Sequence, residues 1–338
     1  MKKQKSIDAI HFLKTLTLRK IINGLLLRLS YRISIFSGKH IHWGKPESLS
    51  IEPTNLCNLK CPECPSGNNL MTRSRLFLSD ENYKKSISEF APWLSNLILY
   101  FQGEPFMHPK IYDFIALATQ KNIYTTTSTN GQFLSKENCE KIVKSGLKRL
   151  IVSIDGTDQN TYEKYRVGGS FNLVVSGIQN LVEAKQTLNK HTPYVIVQFV
   201  VFKTNEHQID DIKKLCKKLT VDLTLKTAQI DDFLNGNELL PKNQKLSRYA
   251  RDKNDKFHLK RKQNFKCWRV WNGSVISADN KLLPCCFDKN AEHSYGSPEL
   301  LVWKNKAASD FRKLVWEKNT IEMCKNCSEG VKPITLSK

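Results

Sequence analysis

The sequence predicts an α/β fold built on a parallel sheet, with a small cysteine-bearing module at its C-terminal end. Three observations carry this. Six β-prone segments alternate with helical patterns between residues 47 and 230, the pattern of successive βαβ crossovers. The first four of those segments each end in a polar group beside a glycine or a run of cysteines. Five of the ten cysteines lie at or beyond residue 267.

The elements follow in order. "LRKIINGLLLRLSYRIS" places Leu18, Ile21, Ile22, Leu25, Leu29 and Ile33 at helical spacing, with Arg19, Lys20, Arg28 and Arg32 mostly between them. This is a basic amphipathic helix in an N-terminal extension, residues 1–46. The plain reading packs it on the domain; the sharper one docks it on a membrane surface or a partner. It is too short to span a bilayer and lacks a small-residue cleavage site. "ESLSIEPT" is the first strand. Residues 79–91 read as a helix capped by Ser79. "NLILYFQGEP" is a strand ending in a turn, and "KIYDFIALATQK" a helix. "IYTTTSTNG" is a strand stopped by Asn130-Gly131. "SKENCEKIVKSG" is a helix with Ser135 as cap and Gly146 as stop. "LKRLIVSIDG", "YVIVQFVVFK" and "DLTLKTAQI" complete the strands, with "FNLVVSGIQNLVEAKQ" and "EHQIDDIKKLCKKL" as the helices between. Together these span residues 47–232.

Residues 233–266 are polar and aperiodic and read as a linker. From 267 to 338 comes the cysteine module. "CWRVWNGSVISADNKLLPCCF" alternates like a hairpin turning at Asp279-Asn280. A helix follows, with Leu301, Trp303, Phe311 and Leu314 as candidate core residues. A closing "CKNC" ends the module.

With 53 Lys and Arg against 32 Asp and Glu, the formal net charge is +21. Such a field attracts an acidic peptide, a phosphorylated small molecule or an anionic membrane; the plain reading is solvated lysines. No arginine-rich run or aromatic-interleaved basic stretch singles out nucleic acid, which is not an expected partner. Tight cysteine spacings in a chain this long favour metal or cluster ligation in a reducing cytoplasm over a disulfide framework. Cys139 and Cys216 sit inside helical patterns and read as buried thiols.

Cys57, Cys61 and Cys64 form C-x3-C-x2-C. Thiolates select zinc or iron–sulfur clusters. A structural zinc site closes with four ligands, whereas three thiolates on a [4Fe–4S] cube leave one iron open. "IEPTNLCNLKCPEC", with "GEP", "STNG" and "SIDG", resembles the radical SAM enzymes over about residues 48–230. The resemblance implies a partial (β/α)6 barrel whose open iron binds S-adenosylmethionine. It implies reductive cleavage to a 5′-deoxyadenosyl radical, hydrogen abstraction from substrate, and a reductase such as flavodoxin or ferredoxin. It also implies roles. Gly103 and Glu104 would meet the methionine ammonium, although Gln102 replaces the family's first glycine. Ser153 and Asp155 would contact the methionine or ribose portion. Asn130 lies one strand over, and Arg166 is placed for the carboxylate. Turn and cap readings stand beside these: Asn130-Gly131 and Asp155-Gly156 also suit plain turns.

Cys267, Cys285, Cys286, Cys324 and Cys327 resemble the SPASM/twitch extension of that family, in its short form. One auxiliary [4Fe–4S] cluster is implied, on Cys267, Cys285, Cys324 and Cys327, with Cys286 as the rival of Cys285; a zinc ribbon is the other reading. The implied enzyme is an oxidoreductase or maturase acting on a peptide or a small molecule. A dehydrogenase or epimerase of sugars or envelope precursors, and a non-catalytic iron–sulfur carrier, stand as alternatives. A molybdenum-cofactor-type cyclase is disfavoured, because four C-terminal cysteines are available where three would leave an iron open.

Overall fold

A computed structural model describes residues 2–234, 236–260, 266–317, 321–327 and 334. Parts of the expected linker (235, 261–265) and of the cysteine module (318–320, 328–333, 335–338) lie outside the described residues. The chain opens with α1 (Lys2–Leu13) and α2 (Leu18–Ser37). It then runs β1 (Ser48–Ile51), α3 (Asp80–Phe90), β2 (Asn96–Ile98), α4 (Ile111–Gln120) and β3 (Tyr124–Thr129). Next come α5 (Lys136–Lys144), β4 (Arg149–Ser153), α6 (Gln159–Glu163), α7 (Phe171–Thr187) and β5 (Tyr194–Val201). After these lie α8 (Ile209–Lys218), β6 (Asp222–Thr227), β7 (Tyr249–Arg251) and β8 (Phe257–Leu259). Last are α9 (Arg269–Asn272), β9 (Gly273–Ile276), β10 (Leu282–Leu283) and α10 (Lys306–Trp316).

Neighbours β1 to β6 pair in parallel and in sequence order, as short right-handed crossovers dictate. Alternate residues face opposite ways. On β5, Val195, Val197, Phe199 and Val201 are buried under helices, while Ile196, Gln198 and Val200 on the other face are only partly covered. The helix-covered face holds the main core, with Tyr83, Ile87 and Phe90 of α3, Phe114 of α4, Ile142 of α5 and Ile178 of α7. Cys139 and Cys216 lie in that core, as their helical settings predict. The opposite, inner face mixes Ile98, Ile151, Ile196 and Val200 with many polar side chains: Ser48, Ser50, Asn96, Thr126, Ser128, Arg149, Ser153, Gln198 and Thr224 stand on it. Ser79 and Ser135 cap α3 and α5 as expected.

Three features depart from the sequence reading. Residues 233–266, expected as a linker, carry the β7–β8 hairpin. Tyr249 and Phe257 of that hairpin pack with Phe202, Ile230 and Leu240 into a satellite core; strands of three residues are too short to show periodicity. The hairpin of the cysteine module joins the main sheet. β9 runs parallel to β1, pairing Ser48 with Gly273 and Ile51 with Ile276, and extends the sheet to eight strands. In the following helix Trp303 and Phe311 are buried, but Leu301 is 81% exposed and Leu314 36%.

The N-terminal helices close the end of the sheet where the strands begin. Asp8 of α1 is buried there, paired with Arg149 and accepting the Tyr124 hydroxyl. Among the described residues no helix is long and apolar enough to cross a membrane.

Candidate active site

The C-terminal ends of β1 to β4 meet around the first cysteine loop. After β1, Asn55 clamps the returning chain: its Nδ2 donates to the Ser74 carbonyl, and its Oδ1 accepts the Leu76 N–H. The loop then folds on itself. Cys64 N–H donates to the Cys61 carbonyl, and the N–H groups of Gly67 and Asn68 donate to the Cys64 carbonyl. Gly67 is required here, because a Cβ would stand 2.6 Å from the Cys61 nitrogen.

The turn after β2 braces this loop. Gly103 has φ +71°, and a Cβ on it would meet the carbonyl oxygens of Thr54 and Leu56 at 2.6 Å. A non-glycine residue would be strained twice over, by conformation and by contact. Gly103 N–H donates to Ser66 Oγ at 3.0 Å, and Glu104 N–H to the Leu56 carbonyl at 2.8 Å. The Glu104 carboxylate turns inward and is fully buried. It accepts N–H bonds from Asn130 (2.7 Å) and Phe106 (3.1 Å) and the Thr129 hydroxyl (2.9 Å). Burial pushes its pKa up to about 7 against the pull of those donors. Asn130 in turn reaches the loop: its Nδ2 donates to Asn58 Oδ1 at 2.7 Å and lies 3.9 Å from Cys57 Sγ.

A second chain of contacts comes from β4. Asp155 is buried, accepting the Val200 N–H at 2.7 Å and Arg166 Nε at 2.6 Å. That pair aims Arg166 at the cysteines, with Nη1 3.9 Å from Cys61 Sγ. Lys60 N–H closes the same side onto the Val167 carbonyl. Gly103, Glu104 and Asn130 thus converge on Cys57, and Asp155 and Arg166 on Cys61. Ser153 stands apart on the inner face, its register partner Gln198 on β5. Among the described residues it has no hydrogen bond to the loop.

The second cysteine set lies at the β9–β10 end of the sheet. Cys285 follows β10, Cys267 precedes α9, and Cys324 and Cys327 share one turn, with Cys327 N–H on the Cys324 carbonyl at 3.2 Å. The Cys285 thiol is close enough to Cys286, Cys267 and Cys324 for each to raise its pKa, and Cys324 feels Cys327 and Cys267 in the same way. Cys286 faces elsewhere. It packs against Phe101, Val275 and Leu283, with Arg269 Nη1 3.8 Å from its sulfur.

Burial pushes Cys57 up to about 11 and Cys324 up to about 12, and raises Cys61 and Cys285. Left alone these thiols hold their protons, so a soft cation must displace them on binding. Both sets are built of thiols, soft donors that suit iron–sulfur ligation. Among the described residues no three donors close around a single metal ion.

The sequence profile of the radical SAM superfamily matches residues 51–218, and that of the SPASM iron–sulfur cluster-binding domain matches residues 267–328. The chain belongs to the radical SAM superfamily. Its core is the family's partial barrel, with helices on one face of a mostly parallel sheet, and its C-terminal module is a SPASM domain. With that membership come a [4Fe–4S] cluster, S-adenosylmethionine and an auxiliary [4Fe–4S] cluster as cofactors. An AdoMet-dependent heme synthase of Nitratidesulfovibrio vulgaris is 31% identical over 170 residues, 50% of this chain and 44% of that protein. This chain therefore spans less than half the length of that relative. The PqqA peptide cyclase of Bradyrhizobium diazoefficiens is 26% identical over 84% of this chain and 79% of its own. Among solved structures, Streptococcus suis SuiB bound to its precursor peptide SuiA aligns with TM-score 0.60 at 15% identity. That alignment covers 79% of this chain and 67% of SuiB. Native anSMEcpe with bound AdoMet aligns with TM-score 0.55 at 15% identity, over 83% of this chain and 86% of that one.

Several site residues escaped the sequence reading. Asn58 and Ser66 hold Asn130 and Gly103, but polar residues between cysteines carry no distinguishing signal. Glu52 and Arg73 form a buried ion pair beneath the loop, at 2.7 Å. A carboxylate ending an apolar strand was the available clue to Glu52.

Proposed function

We propose that this radical SAM protein is an oxidoreductase that takes a hydrogen atom from an anionic substrate held between its two cluster sites. Cys57, Cys61 and Cys64 would hold the cluster, which would supply the reductive cleavage of S-adenosylmethionine to a 5′-deoxyadenosyl radical. The rest falls to the chain. Glu104, held by Asn130, Phe106 and Thr129, offers a carboxylate to the methionine ammonium. Gly103 brings its backbone within reach of the same group. Asp155 orients Arg166 toward the methionine carboxylate, while Asn130 and Ser153 face the remainder of the molecule. Cys267, Cys285, Cys324 and Cys327 would hold the auxiliary cluster, an acceptor for the electron left on the substrate.

The observation that carries this reading is the continuous contact from Glu104 through Asn130 to Asn58 and Cys57. A mere electron carrier has no use for it. The substrate class rests on the inner face. A cavity of about 330 Å³ there is lined by Ser50, Ile98, Tyr100, Arg269, Cys285 and Cys286. Lys226 projects from β6 on the same face, and its pKa is lowered by burial and by the charges of Arg248 and Arg269. Arg248 is 8% exposed. It spends Nε and Nη2 on Thr227, and its buried Nη1 has no hydrogen-bond partner among the described residues. The positive charge that Lys226, Arg248 and Arg269 bring to this face supports a phosphate or carboxylate ligand.

A peptide substrate is the second reading, supported by the match to a peptide cyclase over 84% of this chain; an acidic peptide would satisfy the same cations. The test is anaerobic reconstitution, reduction with dithionite and assay for 5′-deoxyadenosine. Protein carrying both clusters by Mössbauer spectroscopy yet forming none would leave only the electron-carrier reading.

A further inference from the structure

Helix α2 presents its faces in the opposite sense to a helix packed on a core. The side it buries carries Lys20, Asn23, Gly24, Leu27, Ser30 and Ser34. Each polar group there is met. Lys20 Nζ donates to the carbonyls of Thr15 and Asn122, at 3.2 and 2.6 Å. Asn23 exchanges two hydrogen bonds with the Lys45 backbone. Ser30 Oγ accepts Trp271 Nε1, and Ser34 Oγ bonds Ile41.

The other side is apolar and open. Leu18 is 73% exposed, Ile21 46%, Ile22 47%, Leu25 62%, Leu29 51% and Phe36 88%. At about 100° per residue these side chains fall in an arc of about 100°, centred opposite the buried arc. Leu13, at the end of α1, is also 62% exposed. Single exposed leucines are ordinary; a contiguous row along a helix of about 30 Å is an interaction surface.

We infer that this face of α2 lies in the headgroup region of an anionic bilayer. Cations accompany the stripe: Arg19 beside it, where its guanidinium also lies 5.1 Å from the centre of the Trp93 ring, and Arg32 within its arc, with Lys14 before the helix and Lys39 after it. No Asp or Glu occurs between Ala9 and His42. Arg28 is already paired with Glu47 and is not counted. A net charge of +21 adds attraction to acidic lipid. Self-pairing through the stripe would bring the same arginines of two copies together with no acid on the helix to meet them. An in-plane amphipathic helix needs an apolar face, a basic margin and no span, and α2 has all three.

The surface lies at the end of the sheet opposite the cysteine loop. Lys20 is anchored beside the start of β3 and Asn23 beside the start of β1. Docking there leaves the candidate active site facing away from the lipid, and the inference stands independently of the proposed chemistry.

The test is flotation of the full-length, reconstituted protein with phosphatidylcholine vesicles, with and without phosphatidylglycerol. Binding should require the acidic lipid and weaken as salt is raised. The Ile22→Glu/Leu25→Glu variant should lose roughly 100-fold in vesicle affinity. Arg19→Gln/Arg32→Gln should lose roughly tenfold, and only on acidic vesicles. Both variants should keep wild-type iron content and thermal midpoint, since the changed side chains are exposed. Failure of the wild type to float with acidic vesicles overturns the inference, as does wild-type binding by the double-Glu variant. Light scattering showing a dimer that the double-Glu variant breaks, without vesicle binding, also overturns it and gives the stripe to self-association.

Discussion

Replacing Arg73 by alanine should destabilise the protein by about 3–5 kcal/mol, the cost of leaving one member of a buried ion pair alone. The Arg73 guanidinium meets both Glu52 carboxylate oxygens, at 2.7 and 2.9 Å, and the two side chains are 3% and 0% exposed. Glu52 keeps two further donors after the change, the N–H groups of Ala278 and Gln102. Two N–H bonds do not neutralise a buried carboxylate, so the orphaned charge would draw in water. Arg73 also holds Asp279 at 3.1 Å and donates to the Lys289 carbonyl at 2.8 Å, both in the SPASM domain. A chain of 338 residues unfolds with an entropy of roughly 0.7 kcal/mol/K, so the loss is a fall in Tm of roughly 4–7 °C. The assay is thermal unfolding of anaerobic holoprotein at one scan rate, with hydrogen exchange over residues 277–290. Exchange there should quicken in Arg73→Ala. The double variant Glu52→Gln/Arg73→Met should recover most of the loss, because the orphaned charge is gone. A midpoint for Arg73→Ala within 1 °C of wild type (roughly 0.7 kcal/mol or less) would refute the reasoning, as would a double variant no better than the single.

Further expectations follow from the two cysteine sets and from Glu104. Iron should fall from about eight to about four per chain when Cys57, Cys61 and Cys64 are all changed to alanine; zinc in the remaining set would remove the auxiliary-cluster assignment. Cys285→Ser should lose the auxiliary cluster's electron paramagnetic resonance signal, whereas Cys286→Ser should keep it, and the reverse outcome would exchange their roles. Glu104 titrates near pH 7 when its site is free, and a methionine ammonium beside it favours the carboxylate. S-adenosylmethionine should therefore bind more tightly as pH rises toward 7 and release up to one proton below it. Calorimetry in buffers of different ionisation enthalpy checks this, and a pH-independent affinity, or an unaltered slope in Glu104→Gln, would count against Glu104 as the ammonium partner.

Strand order and the position of the cysteine loop were legible because both depend on local pattern. A β-branched run such as "IYTTTSTNG" announces itself, and sequential parallel pairing follows from short crossovers. What periodicity alone cannot say is which face of an element finds company. The apolar stripe of α2 was plain in the sequence, and its natural expectation was burial. The helix turned the other way because Lys20, Asn23 and Ser30 meet Asn122, Lys45 and Trp271. Those partners lie 22 to 241 residues away in sequence. The pairing of β9 with β1 was hidden for the same reason, since nothing near residue 273 marks Ser48 as its neighbour. Gly103 was legible as a turn, but the reason only glycine fits there, the carbonyls of Thr54 and Leu56, required the fold.

The buried pair also explains how two cysteine sets more than two hundred residues apart in sequence come into fixed register. The loop that bears Cys57, Cys61 and Cys64 continues through Arg73 and is tied at several points to elements that follow the barrel. Thr72 N–H donates to Asn290 Oδ1, Arg73 reaches Asp279 and Lys289, and Glu63 accepts the Asp231 N–H at 2.9 Å. Below the loop, β1 lies between β2 and β9, so one strand is shared by the barrel and the SPASM hairpin. A rigid strand and a desolvated ion pair resist sliding far better than exposed loop contacts do, because each slip would break charged hydrogen bonds away from water. The spacing of the two cluster sites is on this account a property of Glu52, Arg73 and Asp279 as much as of the cysteines. Arg73→Ala should accordingly change the magnetic interaction between the two reduced clusters while leaving eight irons in place.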